Sequence, residues 1–504
     1  MSRESAFIDQ GFKSSVADVV EEIKALYLAD EIPWVVGYSG GKDSTAVLQL
    51  VWAALQELSP DQRRKPVHVI STDTLVENPV VARWVSMSLE RMTEAAQDQA
   101  LPIHPHRLTP DVSSTFWVNL IGRGYPAPRP KFRWCTERLK IRPSNTFIRR
   151  VVRENGEAIL VLGTRKAESS VRRHRMESLE ASRVRDRLSP NDSLPNSLVY
   201  SPVEDWSNDD VWLYLMQTSN PWGYDNKDLM NMYKGASADN ECPLVVDSST
   251  PSCGDSRFGC WTCTLVDKDK SMSAMIQNDD EKEWMIPLLE LRNALDLTDD
   301  RPLRDFRRMN GQVQLFHDRA IPGPYTESAR HNWLHMLLEA QTWIRANGPD
   351  YVRDIELITL EELHEIRRLW VFEKHEIEDS LPSIYRTATG ENFPGPSFDD
   401  VLVLRADDLK VLQEVCGDDR LRYELTRELL NVERQFRTMT RRSGLFGALE
   451  SAFKRSYFDD ADDALDFARR RRDWSVEGVD DHEDGLDSDE HPEESVVAVG
   501  VRGT

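Results

Sequence analysis

The stretch PWVVGYSGGKDSTAVLQLVWAALQEL, residues 33–58, decides the fold. PWVVGY (33–38) is a short apolar run entering serine and glycine, which reads as a buried strand. SGGKDS (39–44) follows, and TAVLQLVWAALQEL has the apolar spacing of a helix. A strand, a glycine turn and a helix start together make a cradle for phosphate. Gly40 and Gly41 let the backbone turn tightly and come close to an anion. Ser39 and Ser44 offer hydroxyls and Lys42 a positive charge, while the helix start offers free N–H groups and the positive end of its dipole. Asp43 repels phosphate, so the expectation is that it holds Mg²⁺ or caps the helix. The plainer alternative is a glycine turn that merely caps a helix.

Working outward, residues 14–30 carry helical spacing, VHVIST (67–72) is a second strand, and a helix runs from Pro79 to about Ala96. PIHPHRL (102–108) is a weaker strand. Residues 136–153 read as a helix that Pro143 kinks or splits, and AILVLGTR (158–165) as a strand running into a loop. Strand and helix alternate to about residue 217. The expected fold is therefore α/β, a parallel sheet with helices on both faces. After about residue 236 the chain turns rich in Ser, Asp, Gly and Cys, and beyond about 281 helical spacing dominates. The division expected is an α/β domain at 1–235, a cysteine-rich segment at 236–280, a helical domain at 281–474 and a disordered acidic tail at 475–504.

Composition narrows the classes. The chain has 504 residues, 40% hydrophobic and 30% charged, enough to bury a large core. No apolar run approaches the roughly 18–20 residues that cross a bilayer, and no signal peptide is visible at the start. A cytoplasmic protein without a membrane partner is expected. The net charge of −23 argues against broad attraction to nucleic acid. It hides a local basic loop, Arg165 to Arg187, whose cations are interleaved with Glu168, Glu177, Glu180 and Asp186. That loop is either a phosphate-contacting surface or a solvated, ion-paired one.

Six cysteines in a chain of this length do not make a disulfide framework, and cytosolic thiols stay reduced. PSCGDSRFGCWTCT places Cys253, Cys260 and Cys263 as C-x6-C-x2-C, and the C-x2-C pair has metal-ligand spacing. A fourth ligand must come from elsewhere, with Cys135 and Cys242 as candidates. A [4Fe–4S] cluster and a structural Zn²⁺ both suit four thiolates, and Trp134 and Trp261 would shield either from solvent. Cys242 stays open as ligand, sulfur carrier or bystander. Cys416 lies on an apolar helical face and reads as core.

SGGKDS resembles the PP-loop of N-type ATP pyrophosphatases and phosphoadenylylsulfate reductases, a fold also described as adenine nucleotide alpha-hydrolase-like or HUP/Rossmann-like. Together with TDTLVENP, KFRWCTERLKIRP, LGTRKAES, SPVEDWSNDDVW and SCGDSRFGCWTCT, it resembles the DndC-type sulfurtransferases of bacterial DNA phosphorothioation over residues 39–264. The resemblance implies ATP and Mg²⁺ at Ser39, Gly40, Gly41, Lys42, Asp43 and Ser44, with Asp73 and Thr74 toward the adenosine and Gly163, Arg165 and Arg172 near the phosphates. Lys42, Asp43 and Arg165 are the catalytic candidates. It also implies an iron–sulfur cluster on Cys135, Cys253, Cys260 and Cys263. Iron–sulfur reductases of this superfamily carry a Cys-Cys pair where this chain has Trp134–Cys135, and Cys253 would replace the missing ligand. The implied activity is cleavage of ATP to AMP and pyrophosphate, activating a DNA phosphate oxygen for replacement by sulfur. Implied partners are DNA, a cysteine desulfurase and other phosphorothioation subunits. Alternatives are a phosphoadenylylsulfate reductase, a tRNA-thiolating enzyme and a non-catalytic iron–sulfur subunit that binds DNA. Against the reductase, the last cysteine is Cys416, far from the chain end, where those enzymes need a mobile thiol. SPVEDWSNDDVW has its own simple reading, a helix capped by Ser207 with core tryptophans.

Overall fold

The computed structural model describes residues 5–130, 132–183, 185–237, 258–396, 398, 406–437 and 442–476. Cys242, Cys253 and the acidic run 477–494 lie outside them.

The first strand, β1 (Trp34–Gly37), has β2 (Val67–Thr72) on one side and β4 (Ala158–Val161) on the other, both parallel to it. β3 (Ile103–Leu108) extends the sheet beyond β2, and β6 (Ser197–Tyr200) beyond β4. A two-residue strand, β5 (Ser189–Pro190), pairs antiparallel with β6, giving the order β3-β2-β1-β4-β6-β5. The strands alternate. Trp34, Val36, Val67, Val69, Ile159 and Val161 point into one core, which is covered by α1 (Phe12–Leu28), α2 (Lys42–Glu57), α3 (Pro79–Asp98), α6 (Asn208–Gln217) and α7 (Asn226–Gly235). Val35, Ile70, Ala158 and Leu160 point to the other face, against α4 (Arg142–Asn155). The period of two sorts each strand between two layers.

The chain order turns back between β1 and β4, and in open parallel sheets that switch point leaves a crevice at the strands' carboxyl ends. The glycine turn follows β1 and residues 162–166 follow β4, so both lie at that crevice. Ahead of α4 the chain makes a wide π-type turn, Thr136–Ile141, and Pro143 sits in the first turn of α4, where its missing N–H costs nothing.

A second core lies beyond the sheet. Trp284, Leu288, Leu334, Leu337, Leu338, Ile366 and Trp370 meet Phe116, Trp117, Leu120 and Ile121 there. Its helices are α8 (Lys270–Asn278), α9 (Ile286–Leu295), α10 (Glu327–Asn347), α11 (Leu360–Arg368) and α12 (Leu381–Thr389). A second π turn, Val118–Arg123, enters this core, and the indole N–H of Trp370 donates to the Ile121 carbonyl at 3.0 Å. The chain continues as α13 (Ala406–Cys416), α14 (Arg420–Arg437), α15 (Leu445–Arg455) and α16 (Ala461–Val476). Cys416 is buried, as a core residue should be. The helical half also holds a small hairpin, β7 (Leu315–Phe316) with β8 (Arg319–Ala320), which the helical spacing did not anticipate. Its turn holds His317 at φ 54°.

Candidate functional site

The glycine turn is built by contacts from three sides. Gly40 has φ 73°, and a Cβ there would strike Val85 and Trp84 of α3. Gly163, after β4, lies so close that a Cβ would sit 2.9 Å from the carbonyl carbon and oxygen of Asp43. Those are backbone atoms and cannot step aside. Ser44 folds back over the turn: its Oγ accepts from the Ser39 N–H at 3.1 Å and its hydroxyl donates to the Gly41 carbonyl at 3.0 Å. The N-cap, Gly41, has no side chain to bond the start of α2, so the N–H groups of Asp43 and Ser44 remain available to an anion.

Asp43 does not cap α2. Its carboxylate lies between Lys42, 3.3 Å away, and Arg165, whose Nε donates to it at 2.7 Å. Arg165 is 3% exposed and also donates to the Trp206 carbonyl at 3.2 Å. A buried guanidinium needs such bonds to offset its desolvation. Arg165 therefore positions Asp43. Tyr233, which no sequence pattern marked, closes the turn from above. Its hydroxyl accepts from the Lys42 N–H at 3.4 Å, and its ring lies 5.5 Å from the Lys42 ammonium. Burial, then the nearby Asp43 charge, holds the phenol above its ordinary range.

The thiols join the same crevice. Beyond β2, Asp73 accepts from the Leu75 N–H at 2.8 Å and from Arg107 at 2.9 Å. Residues 76–78 then pair with 259–261: the Trp261 N–H donates to Val76 at 2.9 Å and the Asn78 N–H to Gly259 at 3.1 Å. This pairing sets the Cys260 sulfur 3.4 Å from the Thr74 hydroxyl and 3.9 Å from Glu77. Phe258 stacks edge-on against Tyr233 at 4.7 Å, linking the cysteine segment to the glycine turn. From the opposite side Arg292 of α9, 1% exposed, donates to the Cys263 carbonyl at 3.0 Å and the Asp267 carbonyl at 3.1 Å. Neither Tyr233 nor Arg292 had a sequence signal.

Cys135 is half-buried, like Cys260 and Cys263. Burial raises its pKa, and Cys263 raises it further. Burial, then Glu77, pushes Cys260 up to about 12. Lys140 stands beside them, 3.2 Å from Glu77. Burial lowers its amine, but Cys260, Glu77 and Cys135 outweigh that and hold it above the ordinary lysine range. Trp134 and Trp261 are both buried here, Trp134 stacked on Phe116 and Trp261 against Trp117. In kind, the donors fit a thiolate-bound metal group: soft ligands, a compensating cation and an aromatic wall. Among the described residues no three His, Cys, Asp or Glu side chains converge as a single-ion site.

Arg172 is drawn away from this grouping. It lies exposed on α5 (Ser170–Glu180) and pairs with Glu168. The segment read as a basic loop is thus partly a helix, because Ser169 caps it, accepting from the Arg172 N–H at 3.1 Å. Most of its cations are paired: Lys166 with Glu180 at 2.6 Å, Arg183 with Glu204 at 2.9 Å, Arg187 with Glu22 at 2.9 Å. Ser207 caps α6 as its sequence suggested, and Asp210 returns the bond to complete a capping box.

Residues 33–265 match the profile of the phosphoadenosine phosphosulfate reductase domain. The match spans a little under half of the chain. Within the matched residues fall the glycine turn, Thr74, Gly163, Arg165, Cys135, Cys260 and Cys263. An uncharacterized protein of Methanocaldococcus jannaschii, MJ0066, is 27% identical over 202 residues, 40% of this chain and 35% of the relative, so the alignment spans about a third of that protein. Among solved structures, the phosphoadenylyl-sulfate reductase of Candida auris in its phosphate complex is 15% identical and covers 45% of this chain and 92% of its own, with TM-score 0.27. The U34-tRNA thiolase NcsA of Methanococcus maripaludis, with its [4Fe-4S] cluster, is 13% identical and covers 57% and 82%, with TM-score 0.27. No helix among the described residues is long and apolar enough to cross a membrane.

Proposed function

We propose that the protein is an ATP-dependent sulfurtransferase of DNA phosphorothioation. The observation that carries this reading is the joining of two chemistries at one crevice. The Cys260 sulfur lies 3.4 Å from Thr74, at the end of β2, and Phe258 packs on the tyrosine that closes the phosphate turn.

In this reading the free N–H groups of α2 and the Lys42 ammonium hold the β- and γ-phosphates of ATP with Mg²⁺. A non-bridging oxygen of a DNA phosphate attacks the α-phosphorus, and the bond to pyrophosphate breaks. Lys42 and the α2 N–H groups stabilise the charge developing on the leaving pyrophosphate. A sulfur nucleophile at the sulfide level, originating from a cysteine desulfurase, then attacks the activated phosphorus, and AMP departs with the original oxygen. A phosphodiester oxygen is a very poor leaving group, and attachment to AMP is what lets it leave. Arg165 acts through Asp43, keeping that carboxylate beside Lys42. Cys135, Cys260 and Cys263, with Cys253, would hold a [4Fe–4S] cluster, which supplies a site able to bind or activate sulfur. DNA and partner phosphorothioation subunits are the macromolecular partners of this reading.

Pyrophosphate release from ATP, followed with and without duplex DNA, tests it. Lys42→Ala should lower turnover by at least about a hundredfold, the scale of losing one preorganised charge donor, without altering the thermal melt. Undiminished turnover in this variant rejects the glycine turn as the site. Anaerobically purified protein should be brown, and Cys260→Ser or Cys263→Ser should bleach it. Colourless protein with stoichiometric zinc rejects the cluster.

A further inference from the structure

The second core opens on a cavity of about 320 Å³ that shares no lining residue with the glycine turn or the thiols. It lies between the π turn ending at Arg123, the loop 305–311, the start of α10, and the facing ends of α14 and α15. Its wall is strongly charged and nearly all paired. Arg307 bonds Asp305 at 2.8 Å and Glu424 at 2.7 Å, Arg330 bonds Glu376 at 3.1 Å, and Arg455 bonds Glu428. Glu327 and Glu373 face Arg427 and Arg123 at 3.5 and 3.7 Å. Behind the wall, Glu378 takes a further bond from Arg427 at 2.8 Å.

Two cations of the wall have no carboxylate partner among the described residues. Arg308 reaches only the Pro322 carbonyl, at 3.5 Å. The half-buried Lys374 makes no side-chain hydrogen bond or ion pair there, and burial, with Arg330 adding to it, pushes its amine down to about 8. Two more donors on the same wall, the Nε groups of Arg123 and Arg427, are buried without an acceptor, and Arg427 is only 5% exposed. Four donors of one sign on one cavity ask for an anion with several acceptor oxygens. Two unpaired cations match the charge of a phosphate monoester, about −1.5 to −2 near neutrality, better than the single charge of a carboxylate.

We propose that this cavity binds a small phosphate-bearing anion, with Lys374 and Arg308 balancing its charge and the Arg123 and Arg427 Nε groups completing its hydrogen bonds. The site is separate from the nucleotide loop, so it stands or falls independently of the reaction proposed above.

The test uses the full chain carrying Lys42→Ala, which silences phosphate binding at the glycine turn. Lysines are acetylated with a water-soluble active ester and mapped by mass spectrometry, with and without millimolar inorganic phosphate or AMP. Protection of Lys374 by either, with other half-buried lysines unaffected, is the expected result. In calorimetric titration with the protecting anion, Lys374→Gln and Arg308→Gln should each weaken binding about tenfold, as loss of one charged hydrogen bond implies. Lys374 labelling that phosphate and AMP leave unchanged overturns the proposal without reliance on any variant folding. Protection by a DNA duplex alone overturns it too, because the phosphate would then belong to a nucleic-acid backbone.

Discussion

Gly163 shows how one missing methyl group shapes the crevice. The end of β4 approaches the first turn of α2 so closely that a Cβ would lie 2.9 Å from the Asp43 backbone and 3.0 Å from the Ser44 nitrogen. Gly163→Ala must push two backbones apart, and the expected cost is about 1–3 kcal/mol, the usual scale of overpacking. A lower melting temperature together with weaker ATP binding is expected, and an unchanged melt would mean the two segments separate freely. The turn in SGGKDS was legible because a glycine pair between an apolar strand and a helical spacing is a local pattern. Tyr233 was not, because a tyrosine in NMYKG carries no pattern. Its place above Lys42 exists only once α7 packs against α2.

At the level of elements, β2 and β3 carry a test of pH dependence. His68 and His104 are register partners on these parallel strands, and the Nδ1 of His68 lies 3.1 Å from the Nε2 of His106 under Phe147 of α4. Burial, then His106, His104 and Arg150, lowers His68 from 6.5 to about 4. A neutral histidine in the fold and a protonated one in the unfolded chain favour unfolding as the pH falls. The contribution of His68 is therefore present above pH 6.5 and lost as the pH drops toward 4. His68→Gln should flatten the fall in melting temperature across that window, and an identical fall would show that His68 is not neutral in the fold. The strands themselves were readable from sequence, since alternation is a local property. The helix inside the arginine-rich segment was hidden by its charge: α5 has no buried residue, so it offered no apolar stripe to read.

At the scale of the whole molecule, the second core joins segments far apart in the chain. Phe116, Trp117, Leu120 and Ile121 are buried against α10 and α11 and the turn around Trp370, not against the sheet. Arg292, on one of the helical-half elements, holds the backbone of the thiol segment. A chain ended at residue 280 would keep every motif and expose this apolar surface, where each large side chain forfeits roughly 1.5–3 kcal/mol of burial. Such a fragment should aggregate on expression while the full chain stays soluble. A soluble, monomeric fragment with a sharp melt would show that the helical half is dispensable for folding.

The α/β sheet, the glycine turn and the cysteine spacing were set down in the sequence alone, because strand alternation, glycine turns and C-x2-C pairs act over a few neighbouring residues. Only the tertiary structure decided that Asp43 is bound by Arg165, that Cys260 reaches Thr74, and that Arg292 grips the thiol segment. Each of those contacts joins residues at least twenty-five positions apart, brought together by the packing of two cores, and no local pattern records a partner at that separation.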